Sequence, residues 1–305
     1  MTQLMAAGVR VPGSTSNLGS GYDTIGLALE RYLDATFEPD ESGGLRVERR
    51  GTLAQLEGPD LVADTFARQL RRAEVEAHGV IRLDSNIPVA RGLGTSAAAL
   101  LAGFDLSRAA RGLPRDDDGA FAVALRHEGH GDNTAPSLFG GLRAVVRTPD
   151  GPVLMGLPLS EEVGFAYAAP AAGVSTSEAR ALLPKHVPHK VAAASLGRVV
   201  ALIRGLAEAN PELLRIGVKD ELHVPYRLPL IPSVMSAISA GVDAGAWAVT
   251  VSGAGSGLIA FCEPGLAEVV AAAMHEVFDA ETNDPNCVGF AVRPCHTGLE
   301  RINTD

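Results

Sequence analysis

The glycine-rich stretch at residues 86–101 constrains this chain most, and it reads NIPVARGLGTSAAALL. Its glycines let the backbone approach a ligand closely, because a Cβ atom there would occupy the same space. The alanines that follow favour helix, and Thr95 or Ser96 is a preferred residue for the start of that helix. Since the free N–H groups and the dipole of a helix start attract anions, the stretch predicts a phosphate-binding loop. That loop ends in a hydroxyl group able to reach a metal ion.

Two other interpretations of this loop have to be weighed. A glycine-rich turn before a buried helix produces the same pattern, and such turns are common. A Walker A loop is excluded, because no lysine follows the glycines and the lysines of the chain are Lys185, Lys190 and Lys219. A phosphate site here would therefore depend on backbone N–H groups, the helix dipole and Mg²⁺, with help from Arg91.

Composition and charge exclude several classes of protein. The 305 residues are 46% hydrophobic and 20% charged, which is typical of a folded protein and enough for two domains. The net charge of −10 argues against general nucleic-acid binding. No apolar run approaches the ~20 residues that a membrane span needs. With three cysteines and no signal segment, the chain is expected to be cytoplasmic and to bind neither nucleic acid nor membranes.

The pattern of apolar runs and turns predicts a mixed α/β chain that divides near residues 158–162, into domains 1–159 and 160–305. A short strand at 5–11 is followed by a predicted loop at 11–23, which is rich in glycine and small polar residues. Further strands are predicted at 28–38, 45–50, 80–83, 142–147, 153–157, 164–168, 246–251, 258–262 and 288–292. Helices are predicted at 61–78, 96–112, 116–127, 175–184, 196–209, 233–244 and 266–278. The prolines of 220–232 exclude a long regular element there.

Two polar clusters are candidates for ligand binding. Asn17 and Asp23 stand among small residues of the predicted loop, so both side chains can face a polar ligand. Residues 128–134 read EGHGDNT and combine acid, imidazole and amide groups with glycines. A zinc site of the HExxH type is disfavoured, because His127 and His130 are three rather than four residues apart and Gly129 interrupts the helix.

Three motifs occur in a fixed order along almost the whole chain: VPGSTSNLGSGYDTIGLAL at 11–29, PVARGLGTSAAA at 88–99 and VSGAGSGLIAF at 251–261. In this order they resemble the GHMP kinase family of small-molecule kinases. Three further stretches resemble the homoserine kinase branch of that family: EGHGDNTAPSLFGG at 128–141, STSEARALLPKHVP at 175–188 and DELHVPYRLPLIP at 220–232.

The resemblance implies an activity and a fold. The activity is ATP-dependent phosphorylation of the side-chain hydroxyl of L-homoserine, with Mg²⁺, to give O-phospho-L-homoserine for threonine biosynthesis. The fold is α/β (α+β) with two domains, an N-terminal one like domain 2 of ribosomal protein S5 and a ferredoxin-like C-terminal one, in a homodimer. Two alternatives stay open: a GHMP kinase for another carboxylate-bearing alcohol such as mevalonate or shikimate, and a non-catalytic sensor of ATP or an amino acid.

The resemblance also implies roles for particular residues. Ser96 and Glu128 would hold Mg²⁺, whose preferred ligands are oxygens. Arg180 and Arg227 would bind the homoserine carboxylate, because a guanidinium group donates to both oxygens. The polar residues around the amine and hydroxyl of homoserine would be Asn17, Asp23, His130 and Asn133, with Thr176 in the same pocket. The ATP site would comprise Asp60 on the adenine side, Pro88, Arg91, Gly92, Leu93, Gly94, Thr95, Ser96, Ala97 and Ala98 around the phosphates, and Gly253 and Gly255 opposite.

The catalytic candidates are Asn133, Thr176 and Arg180. Relatives such as mevalonate kinase have an aspartate base where this chain has Asn133, and an amide cannot take a proton from the hydroxyl. Catalysis is therefore expected to depend on positioning and charge stabilisation, because a loose phosphoryl transition state needs little activation of the nucleophile. Asp132 and Asp23 are the fallback bases, and a strong gain in turnover in Asn133→Asp would contradict this assignment.

Overall fold

A computed structural model describes residues 4–40, 43–282 and 284–304. In chain order the strands are β1 (Ala7–Ser16), β2 (Ile25–Pro39), β3 (Leu45–Gly51), β4 (Gly79–Ser85), β5 (Leu142–Thr148), β6 (Gly151–Gly156), β7 (Gly164–Ala169), β8 (Ala248–Val251), β9 (Leu258–Cys262), β10 (Val288–Val292) and β11 (Glu300–Ile302). The α-helices are α1 (Leu61–Arg72), α2 (Thr95–Ala109), α3 (Asp117–Glu128), α4 (Thr134–Phe139), α5 (Thr176–Ala181), α6 (His189–Glu208), α7 (Pro211–Gly217), α8 (Val224–Arg227), α9 (Val234–Asp243) and α10 (Ala267–Thr282).

The first sheet has the order β11-β1-β2-β4-β3, and β2 also pairs with β5, which pairs with β6. Among the described strands of this sheet, β3 and β4 alone are parallel neighbours, and α1 lies in the crossover that joins them. The helix α2 packs against β1, β2 and α1. Residues 97–107 of α2 are buried on every side, because this Ala- and Leu-rich helix has almost no polar face to expose to water. The start of α2 is thereby held rigidly at the surface of the core.

The second sheet has the order β10-β7-β9-β8 and is antiparallel throughout. Counted within this sheet, the order is 4-1-3-2, which is that of a ferredoxin-like sheet, as predicted. The strands β7, β8 and β9 are apolar and buried, and α10 covers β7, β9 and β10. The short loop between β8 and β9, residues 252–257, is carried by this sheet to the start of α2.

The end of the chain returns to the first sheet. The last strand, β11, pairs with β1, and Pro294 forms a bridge with Leu29 of β2. Apart from β11, the strands of the first sheet precede the predicted division near residues 158–162, and the strands of the second sheet follow it. The domain boundary itself stays a prediction.

Several predicted boundaries are wrong. The loop expected from Val11 is strand as far as Ser16. Pro12 has no backbone N–H group, but it lies at a register shift between β1 and β2, where the strand can continue without a hydrogen bond from that residue. The helix expected at 61–78 ends at Arg72, and α6 begins at His189 rather than 196. The short elements α4, α7 and β11 were not predicted, since their hydrophobic patterns span too few residues.

Two further observations concern the cysteines and the helices. Cys262, Cys287 and Cys295 all lie in the described part of the chain, and they are buried thiols without a disulfide. Among the described residues, no helix combines the length and the apolar character that a membrane crossing requires.

Candidate active site

The start of α2 faces a cavity. Its N-cap residue is Gly94, whose backbone is left-handed with φ 67° and which has no side chain to bind the first N–H groups of the helix. A Cβ atom on Gly94 would lie 2.6 Å from Ser14 Oγ and 2.8 Å from Asn133 Oδ1, so this position requires glycine. The first N–H groups of α2 therefore have no side-chain cap, which leaves the positive end of the helix dipole available to an anion.

The cavity has a volume of about 400 Å³ and two chemically different ends. Its polar end lies at residues 92–97, Glu128, His130 and Asn133, with Gly253 and Gly255 opposite. Its other walls are mostly apolar and are formed by Leu33, Leu53, Leu56, Leu61, Val62, Leu83 and Val89. A phosphate chain at the helix start with a purine base against the apolar wall fits this division.

The two glycine loops meet at the polar end of the cavity. Ser252 Oγ donates to the carbonyl oxygen of Gly92 over 2.7 Å and lies 2.9 Å from Thr15 Oγ1. Gly92 has φ 77°, and a Cβ atom on it would lie 1.9 Å from the carbonyl oxygen of Ser252. The close approach of the loops therefore depends on the absence of a side chain at position 92.

Ser96 and Glu128 come together from different helices. Ser96 lies in the first turn of α2 and Glu128 is the last residue of α3, which ends because Gly129 adopts φ 77°. Ser96 Oγ donates to Glu128 Oε1 over 2.5 Å. A hydroxyl and a carboxylate at a helix start form an oxygen pair that suits a hard cation such as Mg²⁺ shared with phosphate oxygens.

Asn133 is held by hydrogen bonds on both sides of its amide. Its Oδ1 accepts from Ser14 Oγ over 3.1 Å, and its Nδ2 donates to Ser16 Oγ over 3.0 Å. Both serines lie on the same face of β1, in the part of that strand that was predicted to be loop. The amide is therefore fixed at the cavity wall.

Beside Asn133, His130 is paired with Asp132. Its Nδ1 donates to Asp132 Oδ1, which also accepts from the backbone N–H of Asn133 over 3.0 Å. Burial lowers the pKa of His130, but the hydrogen bond and charge of Asp132 outweigh it, so this pKa lies above its usual value. The other ring nitrogen, Nε2, is buried without a hydrogen-bond partner among the described residues and lies 3.9 Å from Glu128 Oε2.

Asp23 and Arg180 form a two-pronged ion pair. The guanidinium group of Arg180 donates to both carboxylate oxygens of Asp23, over 2.7 and 3.0 Å, across 157 residues of sequence. Burial raises the pKa of Asp23, but the hydrogen bonds and charge of Arg180 outweigh it and leave this pKa below its usual value. Ligand atoms of Asp23, His130 and Asp132 lie within 4.8 Å of one another, which links the ion pair to the cavity.

Arg227 is almost fully buried next to this pair. Its Nη1 donates to the carbonyl oxygen of Gly253 over 2.7 Å and to His223 Nδ1 over 3.0 Å, and Asn17 Nδ2 donates to the same carbonyl over 2.9 Å. Burial above all, with the charge of Arg227 acting in the same direction, lowers the pKa of His223 to about 4, so this ring is neutral and accepts from Arg227. The Tyr22 ring centre lies 5.4 Å from Arg227 and 5.9 Å from Arg180.

The remaining predicted residues divide into five that line the cavity and three that do not. Thr176, Asp60, Leu93, Thr95 and Ala97 line the cavity. Ala98 is buried inside α2, Pro88 accepts a hydrogen bond from Thr95, and Arg91 donates to the carbonyl oxygens of Ala171 and Asn286. A contact between Arg91 and phosphate would require these last hydrogen bonds to break.

Sequence patterns gave no reason to single out Ser14, Ser16, Ser252, Tyr22 and Arg49, all of which contact site residues. A signal existed for Ser14 and Ser16, since alternate residues of a strand share one face. It would have been visible only if the strand had been predicted to continue past Val11.

Comparison with known proteins identifies relatives over nearly the whole chain. The family models of the GHMP kinase N-terminal domain and the GHMP kinase C-terminal domain match residues 60–141 and 200–280. A homoserine kinase of Thermus thermophilus is 38% identical over 84% of this chain and 86% of its own length. A homoserine kinase of Moorella thermoacetica is 35% identical over 95% of this chain and 98% of its own length.

Solved structures agree with this relationship. The crystal structure of homoserine kinase from Cytophaga hutchinsonii superposes with a TM-score of 0.84 at 26% identity and covers 99% of both chains. The crystal structure of mevalonate kinase from L. major superposes with a TM-score of 0.70 at 16% identity, over 93% of this chain and 95% of its own, which is a likeness of fold alone.

Proposed function

The chain belongs to the GHMP kinase family, and on that premise we infer that it phosphorylates the side-chain hydroxyl of L-homoserine with ATP. One observation in the structure carries this inference beyond the family. The Asp23–Arg180 ion pair lies beside His130, which lines the polar end of the cavity. A carboxylate and a guanidinium side by side complement the ammonium and carboxylate groups of an amino acid.

The phosphate end of the cavity supports a nucleotide with a divalent cation. Ser96 and Glu128 are the residues that would hold Mg²⁺, because their oxygens already touch at the α2 start. When bound, such an ion supplies positive charge to the phosphate oxygens. The chain itself supplies the backbone N–H groups of α2 and the glycine loops that keep the phosphate chain in one place.

The acceptor end supports binding of a zwitterion by exchange of partners. In the structure Asp23 and Arg180 satisfy each other, and an amino acid would give each of them a new partner of the right sign. The buried charge of Arg227, which also lies near the Tyr22 ring, adds attraction for the carboxylate. An acceptor without an amine, such as mevalonate or shikimate, would leave Asp23 with no cation in exchange for Arg180.

The site also supports transfer without a dedicated carboxylate base. Asp132 already accepts from His130 and from a backbone N–H group, and Asp23 is occupied by Arg180. The amide of Asn133 cannot accept a proton at its oxygen under ordinary conditions. The residues present therefore orient the hydroxyl and offset the charge of the phosphates, and the proton leaves to phosphate or water.

A coupled assay of ADP release tests this function. We expect release with L-homoserine and at least ~100-fold lower kcat/KM with mevalonate, shikimate and L-threonine, because each of these loses a matched polar contact or the primary hydroxyl. Release with mevalonate or shikimate at the rate seen with L-homoserine would contradict the proposed acceptor. Binding of ATP and L-homoserine without any release of ADP would favour a sensor.

A pair of variants tests the proposed metal ligands. Glu128→Gln is expected to lower turnover by ~100-fold and to raise the Mg²⁺ concentration needed for half-maximal rate, because a neutral amide binds a hard cation weakly. Asp118→Asn, on the exposed face of the same helix, is the matched control and should leave both quantities unchanged. An unchanged Mg²⁺ requirement in Glu128→Gln would remove Glu128 from the metal site.

A further inference from the structure

Arg49 occupies a position in β3 that the strand pattern reserves for an apolar residue. Leu45, Val47 and Arg49 alternate inward, while Arg46, Glu48 and Arg50 alternate outward. The side chain of Arg49 is only 18% exposed. A cation turned inward from an edge strand loses hydration, so it needs a specific set of partners.

The partners of Arg49 all lie in one short segment. Its Nε donates to Asp60 Oδ2 over 2.9 Å, its Nη1 to the carbonyl oxygen of Leu56 over 2.8 Å, and its Nη2 to that of Gly58 over 3.0 Å. Each of the three guanidinium nitrogens therefore holds a different point of residues 56–60. We call residues 53–60 the base-side segment.

The base-side segment forms one wall of the cavity. Leu53, Leu56, Pro59 and Asp60 line the apolar end, and Leu56 is 42% exposed although it is a large apolar residue. The segment belongs to no helix or strand. Three of its backbone hydrogen bonds join residues 50–56, and the carbonyl oxygen of Asp60 accepts from the N–H group of Asp64 at the start of α1. The guanidinium group of Arg49 thus ties the second half of the segment to the sheet.

Hydrogen bonds to both carboxylate oxygens fix the side chain of Asp60. Its Oδ1 accepts from the backbone N–H groups of Val62 and Ala63, which caps α1, and its Oδ2 accepts from Arg49. The carboxylate therefore has a fixed orientation at the cavity wall, with one lone pair of Oδ2 left for a donor on a ligand.

We propose that Arg49 is a positioning residue for the nucleotide base. By fixing Leu56, Gly58 and Asp60 at once, it shapes the apolar slot proposed for the base, and its own side chain lines the same cavity. The proposal rests on the proposed function for the identity of the ligand, an adenine nucleotide. A lysine cannot replace Arg49, because a single ammonium nitrogen cannot reach three acceptors spread over five residues.

Arg49→Lys tests the proposal with two ligands that share the phosphate site. On the proposed function, ADP would occupy the phosphate and base ends of the cavity, whereas inorganic pyrophosphate would occupy the phosphate end alone. We expect a roughly 10-fold weaker Kd for ADP by calorimetry and a similar rise in KM for ATP, since two of three hydrogen bonds to the wall are lost. Inhibition by pyrophosphate, kcat and KM for L-homoserine should stay within about twofold of the parent values.

Two further variants sharpen the comparison. Arg46→Lys, on the same strand, changes an exposed arginine that pairs with Asp40 and should leave the Kd for ADP unchanged. Asp60→Asn retains a good helix cap but weakens the pair with Arg49, so it should weaken ADP binding in the same direction by a smaller factor. If Arg49→Lys does not fold, Asp60→Asn tests the same contact.

Three results would overturn the proposal. One is an unchanged Kd for ADP in both Arg49→Lys and Asp60→Asn. Another is an equal loss of affinity for ADP and pyrophosphate, which would indicate general damage to the site. The third is a lower kcat with both KM values unchanged, which would indicate a smaller active fraction. Absence of turnover with L-homoserine, with the ADP contrast intact, would contradict the acceptor and leave the role of Arg49 standing.

Discussion

The contact between the two glycine loops makes a sharp prediction for Gly92→Ala. Two costs combine at this position. An L-residue in the left-handed region costs about 1–2 kcal/mol, and the new Cβ atom would lie 1.9 Å from the carbonyl oxygen of Ser252. Ordinary contact begins at 3.4 Å, so one loop must move by about 1.5 Å.

That movement breaks the contacts that hold the loops together. The hydrogen bonds of Ser252 with Gly92 and Thr15 would lengthen, and each is worth about 1 kcal/mol. We therefore expect Gly92→Ala to lower the free energy of unfolding by about 3–4 kcal/mol. A shift of this size beside the phosphate site should also lower kcat/KM by ~100-fold, because a misplacement of about 1 Å is enough to do so.

Gly141→Ala is the matched control. Gly141 also has a left-handed backbone, with φ 70°, but a Cβ atom there would meet nothing within 4 Å. This variant should lose only the conformational cost, about 1–2 kcal/mol, and keep its activity. Urea denaturation and the ADP-release assay measure both variants. Equal stability and equal activity of the two would refute the claim that the loops are in rigid contact.

Three further expectations follow from the site. Asp23→Asn should raise KM for L-homoserine by ~10- to 100-fold and leave KM for ATP unchanged, because the carboxylate proposed to bind the substrate ammonium is lost and the phosphate end is untouched; steady-state kinetics measures both. Because the pKa of folded His130 is raised, its protonation stabilises the fold fully below the unfolded pKa of about 6.5. That stability is lost as the pH rises through the folded pKa, and urea titrations of Asp132→Asn should lack most of this loss. Asn133→Asp should show no gain in turnover, since a second carboxylate next to Asp132 adds repulsion rather than a better base; a rise of tenfold or more in kcat would contradict catalysis by positioning.

Local signals determined much of this protein from sequence alone. The glycine turn followed by alanines at 92–99 is enough to predict a helix start open to an anion, since backbone freedom and helix propensity are properties of adjacent residues. The order of three motifs was enough to indicate the family. The family in turn implied two domains, each with its own sheet.

The tertiary structure decided which distant groups meet. Asp23 and Arg180 are 157 residues apart, and the carbonyl oxygen of Gly253 accepts from both Asn17 and Arg227. Spacing carries no information about such encounters, because they depend on how two sheets set their loops against each other. Sequence alone therefore determined the chemical groups and the local shape of the phosphate loop. Only the packed chain determined their partners, since a charge or a hydrogen-bond donor acquires its role from what folding brings within about 3 Å of it.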